Sequence, residues 1–493
     1  MSIYAPCVPL FCLALAAHAQ VPRGWAVASN SAGTATQLGG LTMFHPLVPG
    51  TSVPITGALP AAITGAGLAQ PYAYGAASVL VDDAGNLVVG THVPGSCLVH
   101  VFLLTLNGST VVSSSAYQLG LATAVASTGW ICGSTDQMAW VGRDILVSNR
   151  EPMWSGPLAN ASLGWVRPQL GPPGTPGTVV PIITTTAMLG TTNALAVDPA
   201  GQFAFLGRYW GTGAGPYTSL IYKIPLTGIG PVTPTLLALV PDLVVNLAVR
   251  PDGCVIAAVM GNVNALHILD GDSGMIRGSS PMPCRPSALA LDTATGDVLI
   301  GDDTSGQVLR GTPVTYYDYW AQTQITTCPV HIDGIAIRPA MNTFGGVSGP
   351  NAPSWITVAT NFGGGQGWQP NPGIPTLGNA SFGLTVTMPW PGPLCLFAIS
   401  LGNSNPPIPL PTPFSVDLLL DPGTAQFLSI QTAFWFYWSP WSFPGCMLGP
   451  AGATAPLPIP NAPALAGLDL FAQVFAVEAN AWSASAGLQF TLF

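Results

Sequence analysis

The chain has 493 residues and a net charge of −9, with only 6% charged side chains, against roughly a quarter in an average soluble protein. There is one lysine, Lys223, and only two glutamates, Glu151 and Glu478, so the residues that stabilise helix surfaces are almost missing. No cluster of Lys and Arg is present to neutralise phosphates, which excludes a nucleic-acid partner.

What remains is a composition of short strands and turns. Gly (58) and Pro (50) punctuate runs of Val, Ile and Thr, the pattern of an all-β chain. At this length two or three domains with their own cores are expected.

The first segment reads as a secretory leader, residues 1–19. "CVPLFCLALAA" is an apolar run, and "AHA" ending at Ala19 offers small residues for cleavage before Gln20. No later stretch reaches the roughly 18 uninterrupted apolar residues of a membrane span. The expectation is therefore a secreted protein or one on the exterior of the cell envelope.

Seven cysteines follow the leader. Their proximity in sequence suggests the pairs Cys97–Cys132, Cys254–Cys284 and Cys395–Cys446, leaving Cys328 over, although spacing alone cannot fix connectivity. The paired spacing of a zinc site is absent.

From Val79 onward one pattern recurs. "VLVDDAGNLVVG" (Val79), "LAVDPAGQFAFLG" (Leu195), "LAVRPDGCVIAAV" (Leu247), "LALDTATGDVLIG" (Leu289) and "IAIRPAMNTFGG" (Ile335) each join two apolar runs through Asp or Arg and a short turn. "MAWVGRDILVSN" at Met138 is a degenerate sixth copy. Each predicts a β-hairpin whose Asp caps the turn. The hairpins recur about every 42–60 residues, the period of a propeller blade. Six hairpins favour six blades over seven. "GWAVASNSAGTATQLG" near Gly24 would close the ring against a strand from Ile335 or from "SWITVATNF" at Ser354. The copies resemble NHL/YVTN-type propeller repeats over residues 22–362, which implies a β-propeller and no particular function.

The Gly/Pro-rich "GGGQGWQPNPGIP", residues 363–375, reads as a linker. Beyond it, "FGLTVTM", "LCLFAISLG", "FSVDLLL", "AQFLSIQTAFWFYW", "LDLFAQVFAV" and "LQFTLF" are strand-like and predict a β-sandwich over residues 376–493. "LGNASFGLTV", "FPGCMLGP", "PLPIPNAPALAGLDLFAQVFAVEANAW" and the last "SAGLQFTL" resemble a C-terminal module of secreted planctomycete-type bacterial proteins. That resemblance implies an accessory β-domain and brings no catalytic residues with it.

Candidate chemistry is sparse. The histidines lack metal or triad spacing, and no G-x-S-x-G, P-loop or H-E-x-x-H motif is present. Asp270 and Asp272 in "ILDGDSG" suggest a calcium loop, but the downstream bidentate Glu such a loop needs is missing; a polar turn is the competing reading. "GDDTSG" at Asp302 and Asp303 is a similar case. The aromatic run 434–443 divides by strand parity, Trp435 and Tyr437 sharing one face. They are candidate platform residues for a glycan, against burial in a core.

The sequence thus predicts an exported, non-catalytic binding or scaffold protein presenting loops on a β-propeller, with no cofactor and an unknown protein or glycan partner. The alternative is a propeller hydrolase or lyase acting on extracellular carbohydrate, with a tunnel site of scattered Asp, Asn and His. Convergence of three or more such side chains at one tunnel mouth would favour the enzyme.

Overall fold

The computed structural model describes residues 20–30, 38–64, 75–82, 84–92, 99–119, 134–141, 144–150, 163–166, 180–183, 191–198, 201–210, 217–226, 232–250, 253–292, 297–313, 319–329, 331–339, 341–344, 357–360, 382–388, 394–411, 416–432, 434–435, 451–465, 467–478, 481–485 and 487–492. These residues are almost entirely strand, the longest helix being the single turn Ala61–Thr64.

Five consecutive stretches each fold into an antiparallel up-and-down sheet. Their innermost strands are Gly75–Val81, Ser134–Val141, Thr191–Val197, Leu243–Val249 and Pro286–Leu291. We number these sheets blades one to five. The outer strand of blade one, Thr110–Leu119, adds the short Thr56–Gly57 in parallel. A sixth sheet is built differently. Its innermost strand, Ile332–Ile337, pairs with Ala26–Asn30 from the amino-terminal end, and Gly40–Phe44 and Ser52–Pro54 complete it. Successive innermost strands neighbour one another, and the sixth returns to the first. The result is a β-propeller.

Side-chain size explains why the blades nest. On the innermost strands a large row, Val79, Met138, Leu195, Leu247, Leu289 and Ile335, alternates with a row that is mostly alanine: Leu80, Ala139, Ala196, Ala248, Ala290 and Ala336. The two rows point to opposite faces of each blade. The small residue of one blade receives the large residue of the next: Ala139 shares a cluster with Leu195, Ala196 with Leu247, Ala248 with Leu289, Ala290 with Ile335 and Ala336 with Val79. Leu80 meets Met138 in the remaining gap. Among the described residues, six apolar clusters therefore lie between six sheets. Gly301 serves the same purpose one strand out, since a Cβ there would lie 2.7 Å from the Ile332 side chain of the next blade.

The turns match the capping role expected of Asp. Asp198 accepts the Phe203 N–H at 2.6 Å, and Asp82 accepts that of Asn86 at 2.7 Å. In the copies anchored by arginine the backbone turn persists, with Arg250 N–H donating to Cys254 C=O at 2.8 Å. Arg250 itself is buried.

The copy at Ile335 departs from the hairpin reading. Only its first run is a blade strand. Its second run, Met341–Phe344, pairs instead with the last strand of the chain, Gly487–Thr491. Thr357–Thr360, the other candidate for closing the ring, pairs with Gly383–Met388 in the C-terminal part. Two strands that lie before residue 363 in sequence thus belong to the C-terminal sheets.

There, one sheet runs Met341–Phe344, Gly487–Thr491, Asp469–Glu478, Leu394–Ser400 and Gln426–Thr432, and a second runs Thr357–Thr360, Gly383–Met388, Ala451–Pro456 and Phe434–Trp435. Leu384 and Ala455 of the second sheet share an apolar core with Phe397, Val474 and Phe490 of the first. Arg23, beside the ring closure, donates to Gln489 Oε1 at 2.7 Å, and Gln489 donates to Asp469 at 3.0 Å. The propeller and the C-terminal sheets are thereby tied at both their backbone and their side chains.

Candidate functional site

The innermost strands share an irregularity toward one tunnel mouth. Each carries one residue more than its neighbouring strand, at the same height: Ala77, Asp136, Asn193, Val245, Ser287 and Asp333. Such bulges bend a strand and re-aim a side chain at a rim or site. Here six of them form one ring, two carrying Asp, one Asn and one Ser. The next position along the strands adds Ser78, Gln137 and Asn246. Beyond that the rows are the apolar ones that pack blade on blade.

The cavity along the axis holds about 260 Å³ and is lined by residues 78–81, 137–140, 195–197, 246–249, 289–291 and 334–337, from all six sheets. Its polar groups, Ser78, Gln137 and Asn246, sit toward the bulge ring. Toward the turns its lining includes Trp140, whose indole N–H donates to Val81 C=O of blade one at 3.1 Å.

Several groups at the polar mouth have fixed partners. Ser287 Oγ donates to Ile332 C=O at 2.5 Å, stitching blades five and six. Asn246 Oδ1 accepts the Leu247 N–H at 2.9 Å. Ser78 Oγ, by contrast, is buried and makes no hydrogen bond, and neither does Asn30 Nδ2 beside the Asp333 bulge. A buried donor left unmade costs about 1–3 kcal/mol; of the two, Ser78 lines the axial cavity and Asn30 stands one strand out.

The residues singled out by sequence fall elsewhere. Asp270 and Asp272 lie in the turn between Ala265–Leu269 and Ile276–Pro281, and their carboxylates face cations of the protein itself. Asp270 accepts the Ser273 and Asp272 N–H groups and a 2.9 Å bond from Arg277; Asp272 pairs with Lys223 at 2.7 Å. The N–H of Ser273 first, then Arg277, hold Asp270 well below the usual carboxylate range. Among the described residues, no group of three or more His, Cys, Asp or Glu is placed to hold a metal ion. Asp302 accepts from Ser305, Thr304 and the Arg285 N–H; burial opposes its ionisation, and these bonds outweigh the burial. Glu151 lies outside the described residues.

The Cys254–Cys284 pairing is corrected. Cys254 precedes the strand Val255–Met260 and Cys284 follows Ile276–Pro281, at opposite ends of blade four, because Val255 is level with Leu269 and Ala265 with Pro281. At about 3.4 Å per residue the two are separated by the blade's full height, and a disulfide tolerates only about 4.4–6.8 Å between Cα atoms. Both are buried thiols. Burial and then Asp302 push Cys284 up to about 12. Cys395 is buried, its thiol pushed up to about 11 by the same desolvation. Cys97, Cys132 and Cys446 lie outside the described residues.

Trp435 ends the edge strand Phe434–Trp435, level with Ala451 on the strand that carries the core residue Ala455. Tyr437 lies outside the described residues. Of the histidines, His45 is buried edge-on to Trp25, with ring centroids 5.5 Å apart, and accepts the Leu47 N–H at Nδ1. His267 is buried 4.0 Å from Asp242. Neither borders the axial cavity.

Sequence reasoning passed over the ring of bulges, yet a signal for it exists. Asp136, Asn193, Ser287 and Asp333 each stand five residues before the last residue of the aligned repeat run: Val141, Asp198, Asp292 and Arg338. Aligning the copies on their turns puts these polar residues in one column.

No protein-family model matches the chain, and no curated protein matches it by sequence. Its fold is similar to solved structures of low identity. A protein from Lactobacillus plantarum is 10% identical, with 64% of this chain and 98% of that one covered and a TM-score of 0.41. For a putative 6-phosphogluconolactonase from Bacteroides fragilis the values are 8%, 63%, 96% and 0.39. For the β-propeller domain of Swd1 from Myceliophteria thermophila they are 12%, 51%, 71% and 0.34.

Proposed function

We propose that this is an exported, non-catalytic binding or scaffold protein, a six-bladed propeller with a C-terminal β-sandwich, that engages its ligand at the bulged mouth of the tunnel. One observation carries the reading: polar residues are concentrated at one end of the tunnel, and a buried polar atom lining it, Ser78 Oγ, lacks a partner. Leader-like residues 1–19 support export, and the C-terminal resemblance supports an accessory role for the sandwich.

The test is a thermal-shift screen of the mature protein against glycans, small polar metabolites and divalent cations, repeated on Asp333→Ala. A ligand at a hundred times its Kd adds about 2.7 kcal/mol to the folded state, and the shift should shrink in the variant. A ligand whose shift is the same in both proteins would move the site away from this mouth.

The second reading, a hydrolase or lyase acting on extracellular carbohydrate, is favoured by one fact. Asp136, Asn193, Asn246 and Asp333, on four different blades, stand at one mouth by register, and two of them are carboxylates, the pair that glycoside hydrolysis uses. Turnover of a glycan substrate that disappears in Asp333→Asn while binding persists would establish it.

A glycan platform at Trp435 is a third use of the chain. Glycan-array binding unchanged by Trp435→Ala and Tyr437→Ala together would dismiss it.

A further inference from the structure

We propose that Gln20 becomes the first residue of the exported protein and closes on itself to pyroglutamate, a modification site at the seam of the propeller. The inference rests on the export reading and on the way the structure holds Val21, two residues after Ala19. Val21 is fully buried, its N–H donates to Gly85 C=O at 3.0 Å, and its C=O accepts Arg338 Nη1 at 2.5 Å. Gly85 has a positive φ of 89°, and a Cβ there would lie 2.6 Å from Arg338 Nη1 and 2.8 Å from Gln20 Cβ. The chain is thus anchored from its twenty-first residue, with a single half-buried residue, Gln20, between that anchor and the small-x-small cleavage sequence.

Cleavage after Ala19 creates an α-amine on the residue before Val21, whose C=O holds the Arg338 guanidinium. A nearby like charge disfavours the ammonium form and so raises the fraction present as the neutral, nucleophilic amine. That nitrogen attacks Cδ of the Gln20 side chain. The new N–Cδ amide bond closes a five-membered lactam, the bond from Cδ to Nε2 breaks, and Nε2 departs as ammonia with the proton shed by the amine. No other reactant is consumed. The product is neutral and leaves the Val21 hydrogen bonds untouched, because neither the Val21 N–H nor its C=O takes part. It removes a positive charge beside Arg338 and leaves aminopeptidases no free amine at the strand that closes the ring.

The experiment expresses the full chain, leader included, in an exporting bacterium, purifies the exported protein, denatures it and cuts with trypsin after Arg23. Mass spectrometry of the peptide covering residues 20–23 should find it lighter than the unmodified peptide by one ammonia, unreactive to amine labels and shortened by pyroglutamyl peptidase. Gln20→Asn, which cannot form the five-membered ring from its amide, should restore a free amine without changing the cleavage point. A peptide beginning at Gln20 that keeps its amine after prolonged incubation overturns the cyclisation and leaves export standing. A first residue anywhere else overturns the export and cleavage reading itself.

Discussion

Asp198 holds its turn through one 2.6 Å bond to the Phe203 N–H, and the sequence alone identified it, because an Asp before a Gly-closed turn has little else to do. Asp198→Ala should cost about 1 kcal/mol, read as a lower urea midpoint with an unchanged slope. Arg250 holds the equivalent position without such a cap and is buried instead, a difference no turn rule anticipates. The histidines carry a pH dependence. Burial lowers His45 to about 4 and lowers His267, with Asp242 opposing the shift at the latter. The unfolded chain binds these protons near pH 6.5, before the folded one does. Their contribution is therefore complete above about pH 6.5 and is lost as pH falls below it, for His45 toward 4. For His45 the loss is on the order of 3 kcal/mol. His45→Asn should flatten the fall in urea midpoint between pH 7 and pH 4.5.

At the scale of the strand, the hairpins were legible because their apolar runs and turns repeat, whereas pairing across long distances was not. The run at Ile335 looks like its five siblings up to Arg338, yet its continuation leaves the propeller to edge another sheet. Local sequence describes a hairpin there; the strand Ala26–Asn30 already occupies the place its second half would take. Spacing misled in the same way for Cys254 and Cys284, thirty positions apart and at opposite ends of one blade. The candidate site was legible only in part. Asp136, Asn193 and Asp333 lie on blades remote in sequence and become a group once a ring exists to collect them. Nesting of large and small rows is the feature most exposed to mutation. Gly301→Ala puts a methyl group 2.7 Å from Ile332 and 3.1 Å from Ala288, and overpacking of this kind costs about 1–3 kcal/mol. Thermal unfolding should show a midpoint lower by several degrees.

For the molecule as a whole, the two parts share strands rather than merely touching. A chain ended at residue 362 would leave Met341–Phe344 and Thr357–Thr360 without the partners they have here and would free Arg23 from Gln489. Unpaired edges of this sort associate, so size-exclusion chromatography of that shorter protein should show aggregates, where the full chain gives a defined peak. The seam has a consequence in time. Ser29 bonds across it to Gly334, 305 residues later, and loops of such length close slowly. Ala26–Asn30 can pair early with Gly40–Phe44, but its other edge waits open until the last propeller strand, Ile332–Ile337, has arrived. The ring therefore cannot lock on an incomplete chain, and its closure waits for every blade to be present.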